Sequence, residues 1–229
     1  MILQVQQYLS LSDVTLHLGV ANFDLVVNHV EVDEDEVQLV GLVCLNLAAK
    51  VEEDCPPSPE LLLPLTGDIY DKTDLARIEK EAISALKWNL RRTTAVVFLH
   101  YYSEIVGRSG RSMFKMARAI LDLCLGQTWY GTVAPSMLAS TVLLAASYLE
   151  GAGWPQHMVK MTGHSADQLM ASLVTVLNMV TSDEMGEGVT EKHSKAICKI
   201  RALGADSVRV MAKNVEQKIS EGSENMILI

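Results

Sequence analysis

The side chains able to do chemistry are six histidines, four cysteines and one dense run of carboxylates, and their spacing decides what they can do. His17, His29, His100, His157, His164 and His193 form no H-E-x-x-H pair, and none is spaced with a cysteine as a zinc site requires. Each reads as a surface histidine or a satisfied core one. Cys44, Cys55, Cys124 and Cys198 lie far apart with no C-x-x-C, which points to free thiols in a reducing, intracellular compartment. The run Glu31 to Glu36 (EVDEDE) could attract a hard cation. It lacks the glycine and terminal glutamate of a calcium loop and reads as the solvated start of a helix. No phosphate-cradling G-x-x-x-x-G-K, no G-x-G-x-x-G opening a helix, and no H-R-D or D-F-G set is present. The expectation is a binding protein with no catalytic residue, no metal and no cofactor.

Composition narrows the partner. The 229 residues are 49% hydrophobic with six prolines, enough to bury a large core in one domain or in two of about 100 residues each. A formal charge of −9 and a pI near 5.1 oppose a nucleic-acid surface, which needs clustered Lys and Arg to displace counterions. They suit a basic protein partner better. The opening residues MILQVQQY lack the basic and long apolar regions of a signal peptide. The longest apolar stretch, Pro135 to Leu149, is interrupted by Ser136, Ser140, Thr141 and Ser147, and reads as a buried helix rather than a membrane span.

The elements that would position any site are helices. Leu16, Val20, Phe23 and Val27 recur at helical spacing, as do Leu75, Ile78, Ala82 and Leu86, in stretches rich in Ala, Leu, Met, Glu and Lys. Strand-like alternation is scarce and no Asn-Gly or Asp-Gly hairpin signal appears. Breaks are expected at Cys55–Pro59, Gly67-Asp68, Gly107–Gly110, Gly151–Pro155 and Gly186–Gly188. The fold class is all-α.

An internal echo subdivides it. LNLAAKVE at 45–52 aligns with LLAASYLE at 143–150 through Ala48-Ala49 and Ala145-Ala146. A proline turn follows each, then Leu65-Thr66-Gly67 or Met161-Thr162-Gly163, then a further apolar helix. The offset of just under 100 residues is one small helical domain. Small residues such as Ala48 and Ala49 suit a central helix that its neighbours approach closely.

The segments TLHLGVANFD (15–24), VQLVGLVCLNLAAKVEE (37–53), CPP (55–57) and ARIEKEAISALKWNL (76–90), in that order, resemble the helices of a first cyclin box. APSMLASTVLLAASYLE (134–150) followed by GWPQHMVKMTGHSADQL (153–169) is similar to the second box of A- and B-type cyclins. The resemblance spans about residues 9–180. It implies two tandem five-helix cyclin-box domains, at 1–92 and 93–182, the first lacking part of its lead helix, with a tail at 183–229 that is partly helical or disordered. Within that tail Ser194 to Ile219 is the candidate helix.

The resemblance also implies a function: a non-catalytic regulatory subunit that binds and activates a cyclin-dependent serine/threonine kinase in cell-cycle and cell-division control, in the nucleus or cytoplasm. Kinase substrates or inhibitors would be further partners; nucleic acid and membrane would not. Matched by motif, the family's kinase-gripping Lys is Lys50 in LAAKVEE and its Glu is Glu79 in RIEKE. Leu47, Val51, Ile83, Trp88 and Leu90 would supply apolar contacts around them, with Trp88 either an interface anchor or plain core. The second box has Ser147 where the first has Lys50, so one gripping face is expected.

Departures from the family pattern bear on substrates. The family's first helix carries Met-Arg-Ala-Ile-Leu, whose Arg pairs with the Asp that is Asp24 here. The chain starts at Met1 partway through that helix, leaving Asp24 without an evident cation, at about 3–5 kcal/mol if it were fully enclosed. The same helix forms much of the docking patch for Arg-x-Leu motifs. Val37 and Gln38 match the rest of that patch, with Met1 and Gln4 in place of its other residues, so substrate docking is supported less than kinase binding. Asp24-Leu25-Val26-Val27 stands for the usual Asp-Arg-Phe-Leu, and Thr93 for a usual Pro. Two other readings are a cyclin-box scaffold that activates nothing and a transcription-related cyclin-box protein.

Overall fold

Two helix starts are written plainly in the sequence. Ser12 accepts the Thr15 N–H at 3.1 Å and opens α2 (Asp13–His29). Asp71 and Asp74 form a reciprocal capping box at the head of α5 (Lys72–Ala85). The computed structural model describes residues 1–67 and 69–181, and the isolated positions 198, 208, 210, 213, 214 and 217. Among these, every regular element is helical. The expected break at Gly186–Gly188 and the helix expected from Ser194 lie outside the described residues, apart from those isolated positions.

The chain divides into two units, Met1–Thr94 and Ala95–Ile229. The first contains α1 (Ile2–Tyr8), α2, α3 (Val37–Glu52), the short α4 (Pro59–Leu62) and α5. Eleven consecutive residues of α3, Leu39 to Ala49, are buried, because α1, α2 and α5 all pack on it. Gly19 sets how closely α2 approaches: a Cβ there would stand 3.1 Å from Leu45 Cα. The carboxylate of Glu53, just past α3, accepts the Ser12 N–H at 2.7 Å and the Thr15 hydroxyl at 2.5 Å, tying the end of α3 to the start of α2. Burial raises its pKa, yet these hydrogen bonds outweigh that and hold it below the usual range.

The second unit contains α6 (Ala95–Val106), α7 (Arg111–Cys124), α8 (Pro135–Leu149), α9 (Gln156–Thr162) and α10 (Ala166–Thr181). Here α8 is central, with α6, α7 and α10 packed on it, and it is the buried helix the stretch from Pro135 suggested. Ser140 and Thr141 cost little inside it, since their hydroxyls donate to the Ser136 and Met137 carbonyls. No helix among the described residues is long and apolar enough to cross a membrane.

The sequence echo has a physical counterpart in each unit. Thr66 and Thr162 are both buried, their hydroxyls donating to Leu63 O at 2.7 Å and Met158 O at 2.9 Å. Gly67 and Gly163 follow in the left-handed region at φ 69° and 76°.

Candidate protein-docking site

In the first unit α3 and α5 share one core, built from Val40, Val43, Cys44 and Leu47 on one side and Leu75, Ile78, Ala82 and Leu86 on the other. Lys50 lies one turn past Leu47, and Glu79 directly follows Ile78, so each charge sits at the rim of this seam. Lys50 Nζ donates to Glu79 Oε1 at 2.5 Å, with the side chains 41% and 26% exposed. The two charges that the sequence placed 29 residues apart therefore meet at one outer surface. Val51, Ile83 and Leu90 are half-buried, and Ile83 and Leu90 pack on that same core. Leu47 is a correction: at 1% exposure it belongs to the core, and it supports the surface from beneath rather than forming it.

Trp88 is settled against the core alternative, for its side chain is 79% exposed. The backbone explains how. Past α5, Lys87 N–H donates to Ser84 O and Trp88 N–H to Ile83 O, the paired bonds of a Schellman ending. Such an ending calls for left-handed backbone, normally from glycine, and here Lys87 (φ 51°) and Trp88 (φ 61°) supply it in succession. Left-handed backbone costs a non-glycine residue about 1–2 kcal/mol, so the chain spends conformational energy to face an indole outward. Beyond it Arg91 holds the departing strand of chain to α3, donating to Val51 O at 3.0 Å and pairing with Glu52 at 3.5 Å. Lys87, Arg91 and Glu52 escaped the sequence reading because no spacing rule marks them.

The described residues of the second unit place no such ion pair at the aligned position. Ser147, which aligns with Lys50, is buried and its hydroxyl donates to Gly153 O at 2.7 Å. Charge is likewise uneven. Residues 1–94 carry sixteen Asp and Glu against seven Lys and Arg, which accounts for the whole formal charge of −9. The carboxylates at Glu31, Asp33, Glu34 and Asp35 are exposed, as a solvated helix start requires, while Glu36 pairs with Arg77. No group of His, Cys, Asp and Glu able to hold a metal ion occurs among the described residues.

The remaining candidate residues separate into two cases. Met1, Gln4, Val37 and Gln38 are all exposed, and the Met1 methyl lies against Gly41, one turn beyond Val37 on α3. Asp24 has no cation among the described residues, but it is only half-buried, so the penalty of a fully enclosed charge does not arise. Burial does push its pKa up. In the second unit Asp122 is fully buried, and Arg118 one turn earlier on the same helix pairs with it at 2.9 Å.

Residues 1–91 match the family described as Cyclin, N-terminal domain, and residues 93–202 match Cyclin, C-terminal domain. The chain belongs to the cyclin family. Among curated relatives, this cyclin is 24% identical over 196 residues to a G2/mitotic-specific cyclin-B of Hydra viridissima, covering 84% of this chain and 50% of that one. It is 27% identical over 175 residues to human cyclin-A2, covering 76% and 40%. It is 28% identical over 148 residues to mouse G2/mitotic-specific cyclin-B3, covering 65% and 10%. The chain thus spans half or less of the length of these relatives. A viral cyclin of herpesvirus saimiri shares the fold, with a TM-score of 0.63 at 17% identity, covering 85% of this chain and 82% of that one.

Proposed function

We propose that this cyclin is a non-catalytic regulatory subunit of a cyclin-dependent serine/threonine kinase, acting in cell-cycle control in the nucleus or cytoplasm, and that the Lys50–Glu79 surface is where the kinase docks. The observation that carries this reading is the partly exposed ion pair across α3 and α5, with Trp88 facing outward just past the end of α5. An exposed pair of this kind contributes only about 0–1 kcal/mol to the free protein, so opening it toward a partner costs little. The Lys50 ammonium then donates to carbonyls of the partner's segment and the Glu79 carboxylate accepts its N–H groups, both charge-assisted. Trp88, Val51, Ile83 and Leu90 supply the apolar area around them.

Activation follows if this surface fits only the active arrangement of the kinase, since a ligand shifts an equilibrium by its difference in affinity for the two states. Moving a kinase from mostly inactive to mostly active takes roughly 5 kcal/mol of such preference. The test replaces Lys50 and Glu79 by Ala together and measures capture of recombinant cyclin-dependent kinases and their activity toward a histone substrate. Loss of both capture and activity supports the proposal, and undiminished capture refutes it. Capture by the unaltered protein without activity would instead make the chain a scaffold.

A further inference from the structure

Between α3 and α4 the chain runs through Cys55-Pro56-Pro57-Ser58 without regular structure, and Pro59 opens α4. Ser58 is exposed, and its backbone is extended at φ −80° and ψ 159°. The sequence enforces that shape, because the ring of Pro59 disfavours helical backbone at the residue before it. The carbonyl of Ser58 accepts the N–H groups of Leu61 and Leu62, but its hydroxyl caps nothing, in contrast to Ser12. That hydroxyl bonds instead to the Glu60 carboxylate beside it, and both residues are exposed. Ser58-Pro59 is also unique: the other five prolines follow Cys55, Pro56, Leu63, Ala134 and Trp154, so the chain has no second Ser-Pro or Thr-Pro pair.

We propose that Ser58 is a phosphorylation site for a proline-directed serine/threonine kinase. The Ser58 Oγ attacks the γ-phosphorus of ATP, the bond from that phosphorus to the bridging oxygen breaks, ADP leaves, and the hydroxyl proton passes to the kinase's catalytic base. The product adds about −1.5 to −2 charges at neutral pH. Its nearest charged neighbours pull it in opposite ways. Glu60, whose carboxylate lies beside the Ser58 hydroxyl, repels it, while Lys72 Nζ, now 2.6 Å from Glu60 Oε1, becomes the cation for which phosphate and carboxylate compete. Lys72 is the first residue of α5 and stands two turns before Glu79, so the cation drawn into this competition belongs to the helix that carries Glu79. The assignment does not depend on the docking role.

The test incubates the full chain with a recombinant mitogen-activated protein kinase and radiolabelled ATP, alongside a synthetic peptide spanning residues 54–65. The expected result is approach to one phosphate per chain, located on Ser58 by mass spectrometry, abolished in Ser58→Ala and retained in Ser58→Thr. Thermal melts within about 2 °C of the unaltered protein establish that both variants fold. Three results overturn the proposal: label that persists in Ser58→Ala, label on another residue, or efficient labelling of the peptide with less than a tenth of a phosphate on the chain.

Discussion

Replacing Trp88 by Ala probes the docking surface more sharply than removing the charges. An aromatic side chain buries about 150–250 Å² when fully enclosed, and Trp88 is 79% exposed in the free protein, so up to about 200 Å² of it awaits a partner. At about 25 cal/mol per Å² the transfer is worth as much as about 5 kcal/mol. Association does not recover all of that, and single hot-spot aromatics commonly cost about 2–4 kcal/mol when truncated. The expected result is a Kd weaker by about 30- to 1,000-fold toward whichever cyclin-dependent kinase of a recombinant panel binds the unaltered chain most tightly, measured by calorimetry. Folding should barely respond, since an exposed side chain away from the core changes stability by about 0.5 kcal/mol or less. A Kd within threefold of the unaltered value, with the melting temperature unchanged, would refute the placement of the interface. A large fall in melting temperature would refute the claim that the indole is idle in the free state.

Three further outcomes are expected. Gly19→Ala sets a methyl 3.1 Å from Leu45 Cα, so that α2 and α3 must part by a few tenths of an ångström, and should lower stability by about 1–3 kcal/mol in urea unfolding. Glu53 has a depressed pKa, so its contribution is present above its unfolded value of 4.5 and is lost as pH falls through the lower folded value; Glu53→Gln should flatten the acid limb of a stability–pH curve below about 4.5 while leaving Ser12 and Thr15 an acceptor. Burial foremost, then the Asp24 carboxylate, pushes the Cys44 thiol up to about 12, and burial followed by Asp122 raises Cys124, so Ellman's reagent should modify only the exposed Cys55 and Cys198 quickly in the native protein.

Particular residues show what the sequence could convey. The spacing of Leu75, Ile78, Ala82 and Leu86 predicts a buried helical stripe, and those four are buried, because a 3.6-residue period is a local property. Thr66-Gly67 and Thr162-Gly163 were readable as a repeat for the same reason: a buried hydroxyl and a left-handed glycine are each bound to a residue type. Lys50 and Glu79 are different. Nothing in their own neighbourhoods says that they meet, and only the cyclin resemblance paired them. Leu47 was assigned to the surface through the same resemblance, but the α3–α5 seam closes over it. Trp88 stayed undecided because its exposure depends on left-handed backbone at Lys87 and Trp88, residue types that give no warning of it. Asp24 was less legible: how much water reaches its carboxylate depends on packing that no spacing reveals.

The backbone that carries Trp88 is held on both sides, by the helix-ending hydrogen bonds of Lys87 and Trp88 and by the bonds of Arg91 to Val51 and Glu52 after it. With the backbone already held, capture of the ring has mainly side-chain torsions left to fix. Encounter with a partner should then resemble the seating of a fixed peg, governed by diffusion and orientation rather than by a search among loop shapes.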